Sequence, residues 1–127
     1  MLRDFAFIDI VSLLKATRWT LLLSLMALVG GGVAGSIVTL LRVSRVVQLR
    51  RLTQGYILLV QGTPLLMQMF LIYFGLALFG VEIPALIAAG VAFTVYASAF
   101  LGEIWRGAIE SIPRQQWEAS AALALTR

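Results

Sequence analysis

Residues 52–81 read "LTQGYILLVQGTPLLMQMFLIYFGLALFGV", thirty positions without a charged side chain. The hydrocarbon core of a bilayer is about 30 Å thick and a helix rises about 1.5 Å per residue, so about 20 apolar residues suffice to cross it. Two more charge-free runs flank this one, 19–41 with 23 residues and 83–102 with 20. Across all 127 residues 61% are hydrophobic and 13% charged, where soluble domains carry roughly a quarter charged. The chain therefore reads as an all-α membrane protein forming one membrane domain. Its spans are expected at about 19–41, 56–79 and 83–102. Within the middle span Pro64 leaves a backbone carbonyl without its helical donor and favours a bend.

The connections follow from local chemistry. Tyr56 is placed at the membrane interface, where tyrosine concentrates. "GVEIP" at 80–84 makes a tight link, and Pro84 suits the first turn of the third helix because its missing N–H has no helical partner there. Residues 4–16, "DFAFIDIVSLLKA", put Asp9, Ser12 and Ala16 on one helical face, with Phe5, Ile8 and Leu13 largely elsewhere. That pattern predicts a short interfacial helix ahead of the first span. A signal peptide would take Leu21–Val29 as its core and "GGVAGS" as its cleavage region. Apolar sequence resumes at Ile37–Leu41 and Asp4 and Asp9 occupy the would-be basic head, so an uncleaved span is expected instead.

Basic residues set the expected orientation. Arg42, Arg45, Arg50, Arg51, Arg106, Arg114 and Arg127 fall on one side, seven of the chain's ten. The positive-inside rule makes that side cytoplasmic and puts the N-terminus outside. The same rule accounts for "RVSRVVQLRR" at 42–51, so nucleic acid is not an expected partner. With neither Cys nor His, the chain offers no disulfide, no Cys/His zinc site and no nucleophile–His pair. It also has no phosphate-binding glycine loop or calcium loop. No metal, cofactor or enzymatic activity is expected, and the remaining candidates for function are amides, hydroxyls and a few carboxylates.

In lipid, small and polar residues mark where helices meet. Gly31, Gly35 and Thr39 recur at i, i+4, i+8 in the first span, and Gly90, Thr94, Ser98 and Gly102 do so in the third. Close packing is the simpler reading; a direct role in transport is the alternative. Gln54, Gln61, Gln68 and Gly75 recur every seven residues in the second span, nearly one helical face. An unpaired amide in lipid is costly, so Gln68 should face protein or a wet path. Glu103 either sits at the headgroups, within reach of Arg106 three residues on, or is a buried functional group.

The chain closes on "IPRQQWEASAALALTR", residues 112–127. Pro113 fits a helix start. Trp117, Ala121 and Leu125 then share one face, and Ala119, Ala122 and Leu123 form a second small apolar surface beside polar Arg114 and Glu118. Too short for a span, the segment is shaped to dock into a groove.

At these residues the sequence resembles a family, the membrane permeases of polar amino-acid ABC importers of the binding-protein-dependent type. "GTPLLMQMFLIYFGL" at 62–76 is similar to one of its signatures and "SAFLGEIWRGAIESIPRQQWEA" at 98–119 to another. "EASAALAL" at 118–125 resembles its EAA loop, a cytoplasmic coupling helix seated in a groove of the ATPase subunit. Gln61 stands where the family usually has Arg, and Ala124 where the loop usually has Gly.

The resemblance implies a partial type I ABC importer permease fold in a bacterial inner membrane. It implies that ATP hydrolysis belongs to a separate chain. The implied partners are an ABC ATPase, a second permease subunit (the same or a sister chain), an external amino-acid-binding protein and membrane lipid. Trp117, Glu118, Ala119, Ser120, Ala122, Leu123 and Ala124 are the expected ATPase contacts. Gln61, Gln68, Thr94, Ser98 and Glu103 are candidate pathway residues. Family members continue with further spans, usually two, so the chain is expected to be the N-terminal portion of a permease. The alternatives are a permease of another importer class and a truncated membrane protein without transport activity.

Overall fold

The computed structural model describes residues 7–122, apart from the side chains of Phe7, Arg114, Trp117 and Ala121. Its described residues form five helices: α1 (Phe7–Arg42), α2 (Val47–Gly62), α3 (Leu65–Leu78), α4 (Ala85–Glu110) and α5 (Arg114–Ala122). The helices α1 and α4 are each long and apolar enough to cross a membrane, and α2 with α3 makes a third crossing if the bent pair is one span.

The expected interfacial helix and first span are one continuous element, because no proline interrupts residues 7–42. At 36 residues α1 is about 54 Å long, well beyond the hydrocarbon thickness, so its N-terminal turns with Lys15 and Arg18 project past the charge-free part. Three of its hydroxyls are satisfied inside the helix: Ser12, Thr17 and Ser36 donate to the carbonyls of Ile8, Leu13 and Gly32. The basic segment expected as a loop over 42–55 is shorter than that. Helix α2 starts at Val47, so Arg50 and Arg51 lie on its first turns.

All three prolines stand immediately before helices, Pro64 before α3, Pro84 before α4 and Pro113 before α5. Pro84 is therefore the residue just outside the first turn of α4, one position earlier than expected. Its carbonyl accepts from Ile87 and Ala88 at 2.9 and 3.1 Å. Helix α3 ends in a left-handed cap at Gly80, φ +77°. Gly80 N donates to the Ala77 carbonyl and Val81 N to that of Leu76, each at 3.0 Å, a pattern that closes two open carbonyls and favours glycine.

Helix α4 is the hub: it packs on α1, α2 and α3, and α1 also touches α2. The two small-residue stripes meet face to face. A Cβ placed on Gly102 would lie 2.5 Å from Val38 Cγ1, and one on Gly35 would lie 3.1 Å from Leu101 Cβ. Gly31 is set against Ala97, and Gly90 against Met26. Thr39 Oγ1 donates to the Gly35 carbonyl at 2.8 Å and reaches the Gly102 carbonyl across the interface at 3.3 Å. Backbones this close gain dispersion over a long contact, the main source of helix association in lipid. A small buried cluster of Val38, Ile57, Val60 and Ala99, with Tyr56, Val95 and Tyr96 against it, joins α2 to that frame. Elsewhere large apolar side chains point outward, Leu78 and Phe79 at 88% and 87% exposure, as suits a solvent of acyl chains.

Candidate functional site

The middle span breaks at Thr63–Pro64, where α2 and α3 meet at a bend of 102°. In an unbroken helix the N–H of residue 64 would bond the Val60 carbonyl, and proline has none. Thr63, preceding proline, is driven to an extended conformation (φ −114°, ψ 138°). Gln68, four residues into the turn, takes over the missing donor. Its Nε2 donates to the Val60 carbonyl at 2.8 Å, to Thr63 Oγ1 at 2.8 Å and to the Thr63 carbonyl at 3.2 Å. Thr63 Oγ1 in turn donates toward the Leu59 carbonyl at 3.0 Å and the Val60 carbonyl at 3.4 Å. A stable corner results, with backbone polar groups satisfied by side chains where lipid offers no water.

The break also divides the glutamine stripe. Gln54 and Gln61 are exposed on α2, while Gln68 is half-buried at the corner on α3. Of the other candidate pathway residues, Thr94 lies against Gly30 and Met26 of α1. Ser98 is buried to 1% exposure and shares a 2.7 Å hydrogen bond with the Tyr56 hydroxyl. The serine also donates to the Val95 carbonyl at 2.7 Å, and Tyr56 reaches the same carbonyl at 3.1 Å. Tyr56 thus points into the protein and ties α2 to α4. Its place beside Thr53, Ile57 and Val60, the buried face of α2, was the available signal: those positions recur at helical spacing.

Glu103 sits in an ion network. It binds Arg106 through both oxygens, Nε to Oε2 at 3.1 Å and Nη2 to Oε1 at 2.5 Å. Arg106 also pairs with Glu110, and Arg42 at the end of α1 stands 3.8 Å from Glu103. The network joins α1 to the last turns of α4, immediately before the link to α5. No group of three or more His, Cys, Asp or Glu among the described residues is placed to hold a metal ion.

Helix α5 packs against no other helix of the described chain. Glu118, Ala119 and Ala122 are exposed on it and Ser120 is half-buried. The Trp117 side chain, Leu123 and Ala124 lie outside the described residues.

Two helices long and apolar enough to cross a membrane, a proline-broken pair that makes a third crossing if it is one span, and a short helix without helix contacts among the described residues define the class, a membrane protein with more than one crossing. The chain belongs to the family of binding-protein-dependent transport system inner membrane components, which it matches over residues 31–127. Among its relatives are the probable amino-acid ABC transporter permease protein YckA and the L-cystine transport system permease protein TcyB, both of Bacillus subtilis. YckA is 36% identical over 113 residues, covering 89% of this chain and 50% of that protein. TcyB is 33% identical over 108 residues, covering 85% and 46%. One solved structure, the crystal structure of an amino acid ABC transporter with histidines, superposes at a TM-score of 0.81 with 34% identity, covering 100% of this chain and 60% of that one. The chain spans about half the length of the curated relatives it matches.

Proposed function

We propose that this chain supplies part of the membrane pathway of an ATP-driven amino-acid importer and carries the helix through which a cytoplasmic ATPase moves it. The observation that carries the reading is α5. It packs on no other helix among the described residues, it presents exposed Glu118, Ala119 and Ala122, and it falls within the family match. A short helix that exposes small residues and has no helix partner among the described residues is suited to a groove, and we assign that groove to the ATPase. The distribution of arginines supports a cytoplasmic α5 and an external N-terminus. The working assembly has a second permease subunit, two ATPase subunits below and an external amino-acid-binding protein above. Trp117, Ser120, Leu123 and Ala124 complete the docking surface. Among the candidate pathway residues, Gln61 keeps its amide exposed and is the best placed to meet solute. Gln68, Thr94, Ser98 and Glu103 hold the walls in position.

The test is co-purification of the ATPase co-expressed with the membrane-embedded chain. Glu118→Lys and Ala122→Asp are each expected to abolish association while the chain stays in the membrane fraction. Unchanged recovery of the ATPase with both variants would refute the docking assignment.

A further inference from the structure

Arg45, Arg50 and Arg51 are all exposed, and none has a carboxylate partner among the described residues. Residues 42–81 contain no acid at all. The acids of α4 are already taken, since Glu103 binds Arg106 and faces Arg42, and Glu110 binds Arg106. The segment is also apolar between its charges: Val46, Val47 and Leu52 are exposed at 47%, 46% and 72%. It begins where the charge-free run of α1 ends and stops where that of α2 starts, which places the three guanidinium groups at the edge of the hydrocarbon. Unneutralised arginines interleaved with outward apolar side chains fit a surface that is anionic at its headgroups and oily beneath.

We infer that the exposed Arg45–Leu52 segment is a binding surface for anionic phospholipid, with the guanidinium forks of Arg45, Arg50 and Arg51 on headgroup phosphate and Val46, Val47 and Leu52 among the upper acyl carbons. Guanidinium suits this role because it offers a planar, permanently charged donor pair to phosphate oxygens. A soluble acidic protein would satisfy the charges and leave Leu52 and the valines in water, so lipid is the better-matched occupant. The inference stands apart from the transport reading, because it needs neither an ATPase nor a solute.

The test uses the whole chain in nanodiscs made from equimolar dioleoyl phosphatidylglycerol and phosphatidylcholine. Lipid that stays with the protein after transfer to neutral detergent is quantified by mass spectrometry. Wild type is expected to retain phosphatidylglycerol preferentially, and 0.5 M sodium chloride during transfer should largely erase the preference. The triple variant R45Q/R50Q/R51Q should lose about tenfold in that preference, at roughly fivefold per fully engaged charge as the upper bound. R45K/R50K/R51K should keep most of it, and circular dichroism should show unchanged helix in both. No preference in wild type, or an undiminished preference in the glutamine variant, would overturn the inference and leave the arginines as a surface for a protein partner.

Discussion

Gln68 Nε2 carries two hydrogens and meets three acceptors, so its orientation is fixed from the donor side alone. Apart from the Thr63 hydroxyl, 3.4 Å away and shared with the Leu59 carbonyl, the Val60 carbonyl has no other donor among the described residues, since its helical partner would have been the N–H that Pro64 lacks. Removing the amide leaves a shielded carbonyl with that long contact alone, at about 1–3 kcal/mol. Gln68→Leu is therefore expected to destabilise the protein by that amount, as read by denaturant titration in mixed micelles. Gln68→Glu should cost nearly as much despite its similar shape, because an ionised carboxylate accepts and cannot donate. A glutamate variant as stable as wild type would mean that the corner does not depend on this donor. Ser98 and Tyr56 show the same economy: each hydroxyl serves a neighbour on another helix or the carbonyl beneath it, and neither is left bare in an apolar interior.

At the scale of elements, the α2–α3 pair sets the shape. Leu52 and Leu78 both point outward, so spin labels can replace them without disturbing the packing. With arms of about 18 and 21 Å from Pro64 and a 102° bend, the two backbone positions lie about 25 Å apart; a straight helix would put them about 39 Å apart. Pro64→Ala alone is expected to leave the short distance in place, since α3 still packs on α4 and Gln68 still binds the corner. Combining it with Gln68→Leu should shift the distribution toward the long distance. Electron–electron resonance measured in bilayers decides between them. A long distance in the single variant would show that proline, and not the side-chain corner, holds the bend.

The whole molecule rests on the α1–α4 frame, because those two helices approach closely along most of the bilayer depth. Gly102→Leu forces a branched side chain into the space of Val38 and the Gly35 carbonyl. It should cost about 3 kcal/mol or more and detach the Thr39 bond across the interface. Gly32 provides the contrast, because a Cβ there meets nothing within 4 Å. Gly32→Ala is expected to be neutral or to stabilise by up to about 1 kcal/mol, the ordinary helix preference of alanine. Equal losses in the two variants, measured by the same unfolding titration, would show that backbone flexibility matters at these glycines and close approach does not.

The sequence by itself determined the apolar helical character, the break and the two faces that meet. Each of those follows from composition or period read along one helix: charge-free length, a proline's missing N–H, and glycines four apart. Charge asymmetry and the order of the motifs likewise made the family readable before any fold was known. What only the tertiary structure decided is which polar atom answers which. Gln68 turns back to Val60 instead of continuing a seven-residue stripe, Tyr56 reaches inward to Ser98, and Arg42 faces Glu103 across 61 positions of sequence. Those pairings depend on the rotation of each helix about its axis and on the angle at the corner. Both are set by how neighbouring side chains interdigitate, which sequence spacing along a single helix does not contain.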